Sequence, residues 1–367
     1  MASHKVARFI FFCLFALQCL SCAKLKCPPT PKESILPVVI PLISTLAGSG
    51  KNGYVDAADT QAYFGKPCGV AVDNEGNVYV GDRDNNVVRK ISPAGAVTTF
   101  AGSGQLGAVN AIGTAASFYG PCGVAVDSIG NVYVADRANQ LIRKITADGE
   151  VTTFAGSGNK GWNDGQAAVA TFSYPSDVAL DDSGNVFVAD YFNNSIRKIS
   201  PAGVVSTLAG GDSLLFGFTD ATGSSARFLK PNGLAMDAAG NIIVADRGNN
   251  AIRKVTKAGV VSTIAGAGGK AGAINGSVDF ATFNNPCDVV EDALGNIYVS
   301  DIYNNVIRKI TPSGMVSNFA GTGLAGFSNG PADSATFNWP VAIAIDAQGN
   351  FYIADYNNYS IRKIVSP

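Results

Sequence analysis

The side chains that could carry charge chemistry in this sequence come in sixes. An Asp closes a short apolar segment, an Asn follows three residues later and an Arg seven residues later. The copies are Asp82, Asn85, Arg89; Asp136, Asn139, Arg143; Asp190, Asn193, Arg197; Asp246, Asn249, Arg253; Asp301, Asn304, Arg308; and Asp355, Asn358, Arg362. Six carboxylates in a ring could hold a cation, but an Arg beside every Asp argues for neutralised pairs. With a four-residue loop between the two segments, Asp82 falls opposite Val87 and Val80 opposite Arg89. Carboxylate and guanidinium then share one face as diagonal neighbours, and Asn85 closes the loop through its side chain. The pattern reads as scaffold.

Little other chemistry remains. The single histidine, His4, lies at the extreme N-terminus, inside a segment that reads as a leader. Ser-His-Asp and Cys-His nucleophiles and His-liganded metals are therefore excluded from the mature chain. Cys68, Cys122 and Cys287 occupy one slot of the repeat, where the other copies carry Ser176, Asn232 and Val341. A Cys68–Cys122 disulfide is one reading of that slot and small buried residues are the other. Asp177 and Asp288 occupy the next slot, which is Gly69, Gly123, Gly233 and Ala342 elsewhere. Two carboxylates from non-adjacent copies make a thin basis for a cation. No catalytic residue, metal site or cofactor is expected.

Residues 1–23 read as an export signal, with Lys5 and Arg8 ahead of the apolar run Phe9 to Leu20. Cleavage after Ala23 and a lipoprotein-type cleavage leaving Cys22 lipidated both fit. Without Lys5 and Arg8 the chain carries 25 basic against 28 acidic residues, so nothing favours a nucleic acid. The expected location is outside the cell or anchored at its outer surface, with membrane attachment only through Cys22. Residues 24–42, rich in proline, read as a tether.

The charged triplets recur every 54 to 56 residues, a spacing that means a repeat architecture. Each unit reads as four short β-branched strands separated by Gly, Pro and Asn turns; in the first unit these are Gly69–Asp73, Val78–Asp82, Val87–Ile91 and Val97–Phe100. Six such units predict an all-β, six-bladed propeller over residues 43–367. The sixth copy of the fourth-strand phrase stands at the beginning of the repeat region, Ile43-Ser44-Thr45-Leu46-Ala47, so the N-terminal segment should complete the last blade and remove two sheet edges. A second constant phrase, Phe-x-x-Pro (Phe64/Pro67 in the first unit), should plug the gap between blades.

The phrases Gly-Val-Ala-Val-Asp, Gly-Asn-Val-Tyr-Val-Ala-Asp and Asn-x-Ile-Arg-Lys-Ile resemble the NHL repeat in all six units. That resemblance implies a six-bladed propeller. It does not imply one function, because such domains serve as extracellular binding modules, adhesion proteins, RNA-binding domains and a few enzymes. The NHL-type amidating lyases use His-held metal, for which the mature chain has no ligand.

Function is therefore sought where the copies differ. The connections between blades run about 20 residues, a length that calls for a reason. They carry Tyr54, Trp162, Phe218 and Phe327 in a slot that is Ala in the other copies, followed two residues later by an Asp or Asn, Asp56 in the first, that reads as a turn former. The loops between second and third strands carry Arg83, Arg137, Tyr191, Arg247, Tyr303 and Tyr356 and should emerge on the same face. Aromatic and Arg side chains together have the composition of a binding surface. The sequence reads as an exported, monomeric, non-catalytic propeller that binds a protein, peptide or glycan. The alternative is a lactonase-like hydrolase or lyase with a cation at the channel mouth.

Overall fold

The computed structural model describes residues 40–365, and among them every regular element is a strand or a short 3-10 turn. The export signal, Cys22 and most of the tether lie outside the described residues. Six antiparallel sheets follow one another along the chain. In the first blade the strands run Pro67–Val72, Val78–Asp82, Val87–Ile91 and Val97–Ala101, from the central channel outward. The second strand of every blade is buried along its whole length. It packs on both faces, which is why Val, Ile, Tyr and Ala fill it without polar alternation.

The ring closes as the phrase order requires. Leu42–Ala47 pairs with Ser360–Val365, with Ile43 opposite Ile364, so the last blade takes its outer strand from the start of the repeat region. Ile43 is fully buried between blades five and six. Two-residue strands at Gly165–Gln166, Gly276–Ser277 and Gly330–Pro331 add a further edge to blades three, five and six. No apolar pattern announced them, because two residues are too few to show a period.

The charged triplets are the interior of the blades. Val80 lies opposite Arg89 and Asp82 opposite Val87. Both side chains are fully buried, with Arg89 Nη1 3.0 Å from Asp82 Oδ2. Asp82 also accepts from Asn85 Nδ2 at 2.8 Å and from the Gly65 amide at 2.7 Å. The guanidinium lies over the buried Phe64 ring, 4.9 Å from its centroid. Phe64 in turn packs among apolar residues of blades six and one, filling the gap between them. The residue two beyond the aromatic slot, Asp56 in this copy, does more than form a turn. Its carboxylate takes Arg89 Nε at 3.0 Å and the Thr99 amide at 2.9 Å. Arg89 also donates to the Val55 and Tyr63 carbonyls. One guanidinium thus anchors the long connection to its blade.

The second acceptor differs between copies. Arg253 reaches Asp220 as well as Asp246, whereas Arg143 has the Asn110 amide oxygen in place of a second carboxylate beside Asp136. Removing one partner of a buried pair costs about 3–5 kcal/mol when the other charge is left uncompensated. Asp136→Asn should therefore reach that range, because Arg143 keeps no anion. Asp246→Asn should cost clearly less, because Asp220 stays 2.6 Å away. Urea unfolding of the two variants measures the difference, and equal losses would remove the pairing argument.

Candidate functional site

Strand direction alternates, so the long connections, the loops between second and third strands and the beginnings of the inner strands share one face. We call it the upper face. Each second loop is a 3-10 turn, such as Arg83–Asn85, followed by a residue with left-handed backbone, such as Asn86 at φ 57°. The residue before each constant Pro is also left-handed, from Lys66 at φ 71° to Trp339 at φ 59°. Pro disfavours a helical conformation in its predecessor, and this geometry is held by a tie between blades. The Asn86 side-chain oxygen accepts from the Gly120 amide at 3.0 Å, and Gln140, Asn194, Asn250 and Asn305 do the same for the next blade.

The residues singled out in the sequence fall into two zones of the upper face. Tyr54, Phe218 and Phe327 lie over the buried guanidiniums of Arg89, Arg253 and Arg362, at 5.2, 4.8 and 5.0 Å. Each guanidinium is thereby sandwiched between two rings. The Tyr54 hydroxyl pairs with Thr99 on the outermost strand at 2.9 Å, so this zone is the outer one. Trp162 is half-buried, and its indole N–H is buried with no protein partner. Tyr54, Phe218 and Phe327 cover polar joints of their own blades while keeping part of their surface exposed.

The second zone surrounds the channel mouth, where Arg and Tyr from neighbouring blades meet. Arg83 donates to the Tyr356 hydroxyl at 2.7 Å across blades one and six. Arg137 lies over the Tyr191 ring at 4.9 Å across blades two and three. Arg247 and Tyr303 meet across blades four and five. Tyr303 packs on Trp339 at 5.2 Å, and Tyr174 and Tyr191 each meet Phe192 edge-on at about 5 Å. Tyr119, Tyr174, Phe192 and Trp339 were missed in the sequence. A signal existed for Tyr174 and Trp339, which fill the variable slot directly before the constant Pro, elsewhere Lys66, Gly120, Lys230 and Asn285.

Below the mouth the inner strands enclose a channel cavity of about 290 Å³. The variable slots read in the sequence are ties between blades here. Cys68 and Cys122 are joined as a disulfide, with Cα atoms 4.9 Å apart at the convergence of blades one and two. Ser176 donates to the Asn232 carbonyl at 2.8 Å. Asn232 donates to the Cys287 carbonyl at 2.9 Å and its Sγ at 3.1 Å. Cys287 is the free cysteine of the described residues, and burial pushes its thiol up to about 11.

Asp177 accepts from the Leu234 amide at 2.8 Å and Asp288 from the Ile343 amide at 2.9 Å, joining blades three to four and five to six. A β-carbon on Gly123 or Gly233 would collide with these carboxylates, so glycine in those copies makes room for them. Burial pushes Asp288 up to about 7, and it raises Asp177 as well, with the Asp288 charge adding to the rise. Among the described residues no group of three or more His, Cys, Asp or Glu side chains is arranged to hold a metal ion.

A carboxyl raised in the folded state favours folding while protonated. That contribution is complete below the ordinary value of 3.8 and is lost as pH rises through about 7. The melting temperature should therefore fall between about pH 4 and about pH 7, and Asp288→Asn should reduce the fall. Calorimetry on both proteins checks this, and an unchanged slope in the variant would refute it.

Comparison with known proteins agrees with the geometry. The NHL repeat family model matches residues 118–145, 172–199, 228–255 and 337–364. Each match begins at the interblade Phe and ends with the third strand of blade two, three, four or six. The chain is 30% identical over 337 residues to SUPPRESSOR OF QUENCHING 1 of Arabidopsis thaliana, covering 88% of this chain and 27% of that protein. It is 29% identical over 297 residues to human NHL repeat-containing protein 2, covering 71% of this chain and 41% of that protein. The chain thus spans well under half the length of these relatives.

Among solved structures, a protein of unknown function from Bacteroides thetaiotaomicron superposes with a TM-score of 0.70 at 21% identity, covering 89% of this chain and 76% of that one. An auxiliary nutrient binding protein from Bacteroides ovatus gives 0.65 at 18%, with the same coverages. A streptogramin B lyase gives 0.54 at 15%, covering 89% and 98%. At such identities the likeness is one of fold. With the repeat matched in four blades and six blades closed into a ring, this chain is an NHL-repeat β-propeller.

Proposed function

We propose that the protein is an exported, monomeric and non-catalytic binding propeller that presents its upper face to a protein, peptide or glycan. One observation carries the reading. Arg83, Arg137 and Arg247 gather with Tyr191, Tyr303 and Tyr356 around the channel mouth, while Asp177 and Asp288 are committed to backbone amides within the ring. Donors and aromatic faces are left for a ligand, and the acids that hydrolysis would need already have structural work. The disulfide suits an oxidising compartment and so supports export. The fold shared with an auxiliary nutrient binding protein is compatible with this role.

The rival is a hydrolase or lyase with a cation at the mouth. It is favoured by the raised carboxyls of Asp177 and Asp288, since perturbed acids cluster at active sites, and by the fold shared with a streptogramin B lyase. Each acid would first have to release its amide. Glycan and protein arrays probed with residues 24–367 should give a ligand whose retention drops when Tyr191 is replaced by Ala. Turnover of a lactone or ester panel that disappears in Asp177→Asn, with no array ligand, would reverse the order.

A further inference from the structure

The upper face holds a groove of about 660 Å³ between blades one, two and three, bounded by Arg83, Leu106, Tyr119, Arg137, Tyr174 and Phe192. Its size is that of a small-ligand pocket. Three of its walls are aromatic, and Tyr119 and Phe192 keep 46% and 41% of their surface exposed.

Arg137 sets this groove apart. Among the described residues it is the arginine whose side chain makes neither a hydrogen bond nor an ion pair. The blade arginines all reach carboxylates. Arg83 is neutralised in part by Asp84 at 3.1 Å, the one acid of the groove, and Arg247 donates to Asn285 at 3.3 Å. Arg227 donates to two carbonyls. Arg137 instead rests on the Tyr191 ring, and its Nε, like those of five blade arginines, is buried without a partner. Burial lowers its pKa from the ordinary value, and the charges of Arg83 and Arg247 lower it further. A fixed, desolvated cation repelled by its neighbours is stabilised by an anion. A planar fork matches a carboxylate in bidentate fashion.

We propose that this groove is a carboxylate site: Arg137 takes the carboxylate of a ligand whose ring lies against Tyr119, Tyr174 and Phe192. The inference rests on the upper face being the binding face and names the chemistry it selects. Two sources share that chemistry. A sugar acid would present the C–H face of its ring to the aromatic walls, and an aryl carboxylate would present its π-face.

Isothermal titration of residues 24–367 with D-glucuronate, D-glucose, benzoate and benzyl alcohol tests it. At least one carboxylate should bind, tighter than its neutral counterpart, and the arm that binds identifies the source. Arg137→Ala should weaken that carboxylate about tenfold or more, the usual weight of a charge-assisted hydrogen bond. Arg137→Lys, which keeps the charge on a slimmer side chain, should recover part of the loss. Thermal melts of both variants should confirm that the ring stays closed. The proposal is overturned if acid and neutral partner bind alike, if neither acid binds at millimolar concentration, or if Arg137→Ala binds as the parent does. Should an array ligand still bind the upper face after one of these results, only the carboxylate assignment falls. If no ligand binds that face, the binding reading falls with it.

Discussion

A buried guanidinium, held against an aromatic ring and bonded to a buried carboxylate, is the interaction on which the rest of this propeller depends. A long connection between blades cannot join a ladder along its length, yet its carbonyls still need donors. Arg89 supplies them, with two donors on Asp56, one on Asp82 and one each on the Val55 and Tyr63 carbonyls. Burial raises Asp82 to about 6 against the pull of Arg89, Asn85 and the Gly65 amide, so desolvation is not fully offset by the pairing. Apolar residues of equal volume could stabilise the same blade as well. What they could not do is dictate where the connection lies, because apolar packing has no direction. The six nodes therefore specify the path of the upper face, and the upper face carries everything that differs between copies.

The joints between blades follow a second rule. At the centre of the ring the ties differ in kind around the six interfaces. A disulfide joins one to two and Arg137 on Tyr191 joins two to three. Asp177 joins three to four, and Asn232 with the Arg247–Tyr303 contact joins four to five. Asp288 joins five to six, and Arg83 with Tyr356 closes six to one. Repeats stack by packing only on their neighbours, so each interface is free to find its own chemistry. The inner strands converge at the mouth, and short side chains can span the gap there. This is why the slot after the constant Pro tolerates Cys, Ser, Asn and Val while the Phe three residues before that Pro never changes.

Much of this was legible in the sequence because it is periodic. The triplet spacing gave the blade count, and a four-residue loop placed Asp82 and Arg89 on one face. The displaced copy at Ile43 gave the closure. What stayed hidden is what periodicity cannot express. Asp56 reads as a turn residue, since nothing in one chain position says that an arginine 33 residues away will reach it. Asp177 and Asp288 read as a thin basis for a cation, since their partners are backbone amides of another blade, and amides have no sequence. Tyr54 and Phe327 stood out by type, but type does not reveal that a cation lies beneath them. Tyr174 and Trp339 were hidden by the Pro that follows them, which drew the reading toward strand geometry.

These two rules bear directly on what the mouth can do. A hydrolytic site in a propeller channel needs acids free to move a proton or hold a cation. Here the channel acids are consumed in joining blades, and glycines in the preceding copies are shaped around them. The cations at the mouth are in the opposite position. Their phenol partners are neutral, so three positive charges converge on the channel, and of the three Arg83 is the one in ion-pair contact with an acid, Asp84. A ring can be closed by neutral ties, as Ser176 and Asn232 demonstrate. Closing it with uncompensated arginines costs stability, and such a cost is tolerated where the charge serves something outside the chain. The excess positive charge at the mouth of an otherwise slightly acidic protein is thus the feature that scaffold reasoning leaves over, and it is the reason to look for an anionic ligand there before any substrate for the acids below.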